Sequence, residues 1–157
     1  MDLSKQNDSF VFDATRSSWM KATPEERVRQ ELIQAMITSY GYPKEMIAVE
    51  KNLADIPHLE MQKKKIPDRR IDIVCFAKNI HKDYPLYPLL LIECKQDGKL
   101  KGALDQILGY NHYVGACFIA VATSEVFLLQ FLGKSGIVQK ELKHPPLYKE
   151  LIQAVHT

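Results

Sequence analysis

Hydrophobic spacing along the chain changes period several times, and each change marks an element. From residue 23 to 40 the apolar positions recur at three and four residues, with Val28, Leu32, Ala35 and Met36 on one stripe. Thr23 is a good N-cap, Pro24 suits the first helical position, and Glu26 completes a capping box three residues after the cap. The spacing therefore predicts a helix to about Tyr40, ended by Gly41 and Pro43. The runs MIAVEK (46–51), RIDIVCFA (70–77) and LLLIECK (89–95) predict three strands. A polar loop (54–68) separates the first two, and HKDYPLYP (81–88), with two prolines, is a turn between the second and third. A second helix follows the Gln-Asp-Gly turn, from about Leu100 to Val114. CFIAVAT (117–123) and EVFLLQFL (125–132) are further strands, and GIVQKEL (136–142) adds an edge strand. An amphipathic helix over 146–156 closes the pattern, with Pro146 near its start. Residues 1–22 predict only an irregular segment, despite the apolar patch Phe10–Phe12 and the lone Trp19.

The order helix, three strands, helix, strand limits the topology. Strands two and three are close in sequence and pair as an antiparallel hairpin. The helical crossover from strand three to strand four requires a parallel, right-handed connection. The expectation is an α/β fold: one domain over 1–157, with a central mixed β-sheet of core order αβββαβ flanked by helices on both faces.

Composition narrows the class. A chain of 157 residues can bury a sizeable core as one domain, and 46% hydrophobic with 25% charged residues is ordinary for a globular protein. A net charge of +2 does not by itself imply a nucleic-acid partner, so that case rests on where the charges sit. Cys75, Cys94 and Cys117 lie in apolar stretches without any CxxC, and read as small core residues in a reducing cytoplasm rather than zinc ligands. The start, MDLSKQNDSF, has no apolar signal-peptide region, and no run approaches the ~20 apolar residues of a membrane span. A cytoplasmic protein with no membrane partner is expected.

Charges inside the apolar runs carry the chemistry. Glu93 and Lys95 share one face of their strand, about 7 Å apart, while Cys94 faces the other way with Ile92 and Leu90. On strand two, Ile71, Ile73 and Cys75 take one face, and Asp72 joins Val74 and Phe76 on the other. The hairpin brings Asp72 close to Glu93 and Lys95. Taken singly, Glu93 and Lys95 read as a strand leaving the core, and Asp72 as a buried acid satisfied by Arg69 or Arg70. Three charged groups at one end of a buried sheet resist that explanation, because each unpaired buried charge costs several kcal/mol. Glu31 falls on the first helix's apolar stripe, unless it lies at the stripe's margin and reaches solvent. In the second helix, Gln106 and Tyr110 stand i and i+4 beside Ala103, Ile107 and Val114, where a core amide satisfied by backbone is the alternative for Gln106. Lys63, Lys64, Lys65, Arg69 and Arg70 form a basic cluster that either contacts DNA phosphates or is a solvated loop.

Two or three carboxylates with a lysine outline a metal-dependent hydrolysis site. Few hard oxygen ligands suit Mg²⁺, with Mn²⁺ as substitute, because Mg²⁺ keeps several waters and takes substrate phosphates. Asp72, Glu93 and the Cys94 backbone carbonyl would hold the ion, and Lys95 would orient or deprotonate the attacking water.

The motif ID-(x)20-ECK, with Asp72, Glu93 and Lys95, resembles that of PD-(D/E)XK nucleases. TPEERVRQELI, GYPKEMIAVEK, RRIDIVCF, LLLIECK and ALDQILGYN, in this order, resemble the N-terminal nuclease domain of type I restriction enzyme R subunits, and Arg16 and Trp19 fit the same family. The resemblance spans roughly residues 16 to 123. It implies a restriction-endonuclease-like fold and hydrolysis of DNA phosphodiesters. It also implies Asp72 and Glu93 as metal ligands, Lys95 as catalytic lysine, and Glu31 as the helix-borne acid reaching the metal through water. Gln106 and Tyr110 would be the Q-x-x-x-Y element of the catalytic site. Pro67-Asp68 spells a literal PD, but Asp68 precedes the strand and Asp72 lies inside it. The resemblance has one departure: R subunits are long motor proteins, whereas these 157 residues hold no Walker A motif, so DNA translocation is not available to this chain alone, and DNA together with motor or specificity subunits of a restriction system are the expected partners. The alternatives are a non-cleaving nucleic-acid-binding module of the same fold, or an interaction protein using the C-terminal helix and the Tyr84–Tyr87 loop.

Overall fold

In the computed structural model, which describes residues 10–13, 18–21, 23–59, 65–100 and 102–157, the first helix starts as its cap requires. The Thr23 hydroxyl accepts the Glu26 amide at 3.1 Å, and Pro24 opens α1 (Pro24–Ser39). Two strands precede it, β1 (Phe10–Asp13) and β2 (Ser18–Lys21), paired antiparallel with Phe12 edge-on to Trp19 at 5.5 Å. The irregular segment expected over 1–22 is therefore a hairpin where it is described; four-residue strands are too short to show a period of their own.

The main sheet has six strands in the order β3 (Ile47–Asn52), β4 (Arg70–Lys78), β5 (Leu86–Cys94), β6 (Phe118–Ala122), β7 (Phe127–Gly133) and β8 (Gly136–Leu142). Only β5 and β6 run parallel, across the α2 crossover (Ala103–Val114). The core order αβββαβ and the mixed α/β sheet are as expected. Val28, Ile33 and Met36 of α1 and Leu151 of α3 (Tyr148–His156) pack on one face with Ile73, Cys75, Leu90, Ile92 and Ala120. On the other face, Ala103, Ile107 and Val114 of α2 pack with Val74, Phe76, Leu91 and Val121. Ile71 departs from the simple alternation and joins Leu53 and Ile56, whose 3-10 turn (Leu53–Asp55) is hydrogen-bonded to the start of β4.

Both ends of β5 differ from the expected ones, each for a local reason. β5 begins at Leu86 because a register shift lets Pro88 sit inside the strand: Cys75 faces Leu90, while Phe76 faces Pro88. β5 ends at Cys94, and Lys95 lies just past it, its amide donating to the Ala122 carbonyl at 2.9 Å.

Candidate active site

The regular pairing of β4 with β5 stops at Ile73–Ile92, and the same register carried one step further sets Asp72 opposite Glu93. Here side chains replace the ladder. The Asp72 amide donates to Glu93 Oε1 at 3.3 Å, and the Cys94 amide donates to Asp72 Oδ2 at 2.8 Å. On the other side, the pairs Val49–Ile73 and Lys51–Ile71 put Glu50 opposite Asp72. Glu50 has φ +48, in the left-handed region that non-glycine residues rarely adopt, and it interrupts the β3–β4 ladder at the level of the site.

A helix completes the cluster. Arg29 of α1 is 5% exposed and joins three carboxylates: it is ion-paired to Glu26 on its own helix, reaches Glu50 Oε1 through Nη2 at 3.1 Å, and reaches Asp72 Oδ1 through Nη1 at 3.5 Å. Gln30 Nε2 donates to Glu26 Oε1 at 3.0 Å, fixing that carboxylate in turn. The arginine beside the buried acid is thus Arg29 and not Arg69 or Arg70, which are exposed; Arg69 donates instead to the Asp68 carbonyl.

Among the described residues, four carboxylates (Glu26, Glu50, Asp72 and Glu93) gather about the cations Arg29 and Lys95. The strain falls on the Asp72–Glu93 pair. Burial, then the Asp72 charge, push the Glu93 carboxyl up to about 8, against the opposing pull of the Asp72 amide and the Lys95 ammonium. Burial also raises Asp72, offset in part by the Cys94 amide, Arg29 and Lys95. The Lys95 side chain is half-buried and acts electrostatically on both acids.

The other expected site residues are placed differently. Glu31 is exposed and lines a groove with Thr123, Ser124 and Lys143, outside the hydrogen-bonded cluster. Two residues along a helix turn the side chain by about 200°, so a helix that aims Arg29 at the sheet end aims Glu31 away. Its inward face carries Glu26, Arg29, Gln30, Ile33 and Met36, whereas Leu32 and Ala35 are only half-buried. Gln106 is exposed and not the core amide of an inner face; its Nε2 donates to the Tyr110 hydroxyl at 2.7 Å. Lys65, Arg69 and Arg70 are exposed near the start of β4, while Lys63, Lys64 and Arg16 lie outside the described residues. In the Tyr84–Tyr87 loop, Tyr87 stacks on His81 at 4.5 Å and donates to the Gly115 carbonyl at 2.6 Å, a structural employment of that ring.

No group of three or more His, Cys, Asp or Glu side chains among the described residues forms a metal-holding set. The pair nevertheless fits Mg²⁺ by the chemistry of its donors. Asp72 and Glu93 offer hard oxygens, each accepts one backbone amide, and their mutual repulsion is what a cation would relieve. The Cys94 amide points to Asp72 while the Lys95 amide points to β6, so strand alternation turns the Cys94 carbonyl towards Asp72 as well.

The fold and its site define a mixed α/β structure whose central sheet ends in a carboxylate pair, Glu93 buried and Asp72 half-buried, flanked by two cations. The chain belongs to the family of the type I restriction enzyme R protein N terminus, which matches residues 24–134 and so spans α1, every strand of the main sheet up to β7, and all of the cluster. No curated protein matches the chain. Among the described residues, no helix is long and apolar enough to cross a membrane.

Proposed function

We propose that this chain is the nuclease domain of a type I restriction system: a restriction-endonuclease-like fold that hydrolyses DNA phosphodiesters with Mg²⁺ or Mn²⁺ at Asp72, Glu93 and Lys95. The observation that carries this reading is the pair at the sheet's end, where Asp72 and Glu93 meet across β4 and β5, the Asp72 amide donating to Glu93 Oε1 at 3.3 Å and the Cys94 amide to Asp72 Oδ2 at 2.8 Å, and where burial and then the Asp72 charge push the Glu93 carboxyl up to about 8. Sheets do not place two crowded carboxylates on adjacent strands without a counterpart.

A bound divalent ion supplies Lewis acidity at the scissile phosphate and lowers the pKa of a bound water. Asp72, Glu93 and the Cys94 carbonyl would hold it. The Lys95 ammonium, immediately after the strand, orients the attacking water and sets a positive charge beside the phosphorane-like transition state. The water oxygen gives up a proton to solvent as it bonds to phosphorus, the bond from phosphorus to the sugar oxygen breaks, and that oxygen leaves with a proton taken from solvent. Lys65, Arg69 and Arg70, exposed where β4 begins, hold the phosphate backbone on either side, together with Lys63 and Lys64. Glu31, exposed on α1, would contribute through a metal-bound water. Tyr110, held by Gln106, faces the DNA. Partners are DNA and the motor and specificity subunits of the same restriction system, in the cytoplasm.

Among the described residues no three His, Cys, Asp or Glu side chains form a metal-holding set, and Glu31 is exposed, which favours as second reading a module that binds nucleic acid without cutting it. The test is cleavage of mixed DNA substrates by the purified chain in Mg²⁺ or Mn²⁺, beside Glu93→Ala. Metal-dependent cleavage that Glu93→Ala abolishes supports the nuclease; salt-dependent binding without cleavage by wild type supports the second reading.

A further inference from the structure

Arg29 has no part in the hydrolysis set out above, yet it pairs with three carboxylates at the site. An arginine that merely neutralises a buried acid needs one partner. Arg29 holds carboxylates from three elements, Glu26 on α1, Glu50 on β3 and Asp72 on β4, while staying 5% exposed. The order of the contacts is informative. Glu26 and Glu50 grip one nitrogen, Nη2, and Gln30 fixes Glu26 from behind. The planar fork then presents Nη1 to Asp72 Oδ1 at 3.5 Å. The opposite oxygen of Asp72 takes the Cys94 amide at 2.8 Å, so the carboxylate is addressed from both sides. Glu50 reaches Arg29 from a left-handed backbone, φ +48, a conformation that persists only where surrounding contacts over-determine it.

We propose that Arg29 is a positioning residue: clamped by Glu26 and Glu50, it holds the Asp72 carboxylate in the orientation that takes a divalent cation, without itself touching DNA. This role rests on the metal-dependent site proposed above. It is the relation of an outer-shell group to a metal ligand, where removing the outer partner characteristically weakens the metal 10- to 100-fold while the ligand itself remains.

The experiment titrates Mn²⁺ into the whole chain without DNA, followed by the electron paramagnetic resonance of free Mn²⁺, for wild type, Arg29→Lys and Glu50→Gln. Lysine keeps the charge but cannot span Glu50 and Asp72 with two nitrogens. Arg29→Lys is expected to bind Mn²⁺ roughly 10- to 100-fold more weakly. The Mn²⁺ concentration for half-maximal single-turnover cleavage should rise by the same factor, with the rate largely recovered at saturating metal. Glu50→Gln, at a side chain 38% exposed, leaves the fold intact and loosens the clamp, shifting Mn²⁺ binding in the same direction by a smaller factor. Unchanged or tighter Mn²⁺ binding in both variants overturns the proposal and reduces Arg29 to a counter-charge. If Arg29→Lys does not fold, Glu50→Gln decides alone, and unchanged affinity there overturns it. Wild type that binds no Mn²⁺ sinks the metal site itself, and the role of Arg29 with it; binding by wild type with unaltered variants sinks the role alone.

Discussion

Replacing Glu93 by glutamine isolates the strain on which the proposed site rests. The side chain is 6% exposed, and its carboxyl is raised from 4.5 to about 8, first by burial and then by the Asp72 charge. Between those values the folded chain holds a proton that the unfolded chain has lost, so stability falls as pH rises. The contribution is complete below about pH 4.5 and gone above about pH 8. At about 1.4 kcal/mol per pH unit, the full span from 4.5 to about 8 is worth on the order of 5 kcal/mol, of which roughly 3 kcal/mol has gone by pH 7. Glutamine cannot ionise. Its carbonyl still accepts the Asp72 amide, and its NH₂ can donate to the Asp72 carboxylate. Glu93→Gln should therefore match wild type near pH 4 and gain on it as pH rises. At about 2–4 °C per kcal/mol for a chain of this size, its midpoint should lie about 6–12 °C higher at pH 7. The assay is thermal unfolding of both proteins from about pH 4 to pH 9 without divalent ion, repeated in millimolar Mg²⁺ or Mn²⁺. The ion should stabilise wild type by mass action, about 2.7 kcal/mol at a hundredfold excess over Kd, and more at high pH where no proton has to leave. The variant should lose most of that gain. Parallel pH profiles for the two proteins would refute the crowded pair, and no effect of divalent ion on wild type at any pH would refute the metal site.

Lys95→Arg keeps the charge but presents a wide, planar group that cannot give up its proton; it should fold and bind divalent ion and DNA, yet cleave at least ~100-fold more slowly in single turnover. Near-normal rates for both Lys95→Arg and Lys95→Ala would leave Lys95 as a charge-balancing residue. Glu31→Gln, at an exposed position, should leave the unfolding free energy within about 0.5 kcal/mol of wild type and reduce cleavage less than Glu93→Ala does; a loss as large as that of Glu93→Ala would restore Glu31 to the centre of the site. Replacing both Lys65 and Arg70 by alanine should weaken DNA binding evenly across sequences and lower its salt slope by about two, and an unchanged slope would make that cluster a solvated loop.

Asp72 and Glu93 were legible in the sequence because a strand alternates with period two, so one carboxylate inside RIDIVCFA or LLLIECK stands out against its apolar neighbours. Pairing the two runs as a hairpin was enough to bring the charges together, and that pairing also supplied the two strands between β3 and β6 in the central sheet. Arg29 and Glu26 carry no such contrast. Three residues apart on a helix, they look like any solvated ion pair, and nothing local distinguishes a buried pair from an exposed one. Their burial is settled by tertiary contacts, including the packing of β1 on α1, and that hairpin was itself hidden because its strands are four residues long. The misplacement of Glu31 has the same origin. Leu32 and Ala35 supplied half of the apolar stripe but are only half-buried, so the inward face lies rotated towards Ile33 and the polar trio Glu26, Arg29 and Gln30. A hydrophobic count cannot find a helix face whose buried centre is charged.

Glu50 is hidden for a different reason. IAVEK reads as a plain strand, and a charge near its end reads as the strand leaving the core. What makes Glu50 part of the cluster is a single left-handed residue directly opposite Asp72, and no residue type announces that conformation when it is not glycine. The carboxylates that would bear the chemistry follow the periodicities that build the sheet. The groups that would hold them in place occupy positions where those periodicities fail. Departures from regular pattern are therefore where the outer partners of such a site should be sought: a buried ion pair on a helix, a non-glycine left-handed turn within a ladder, and a ladder whose last rungs are side chains.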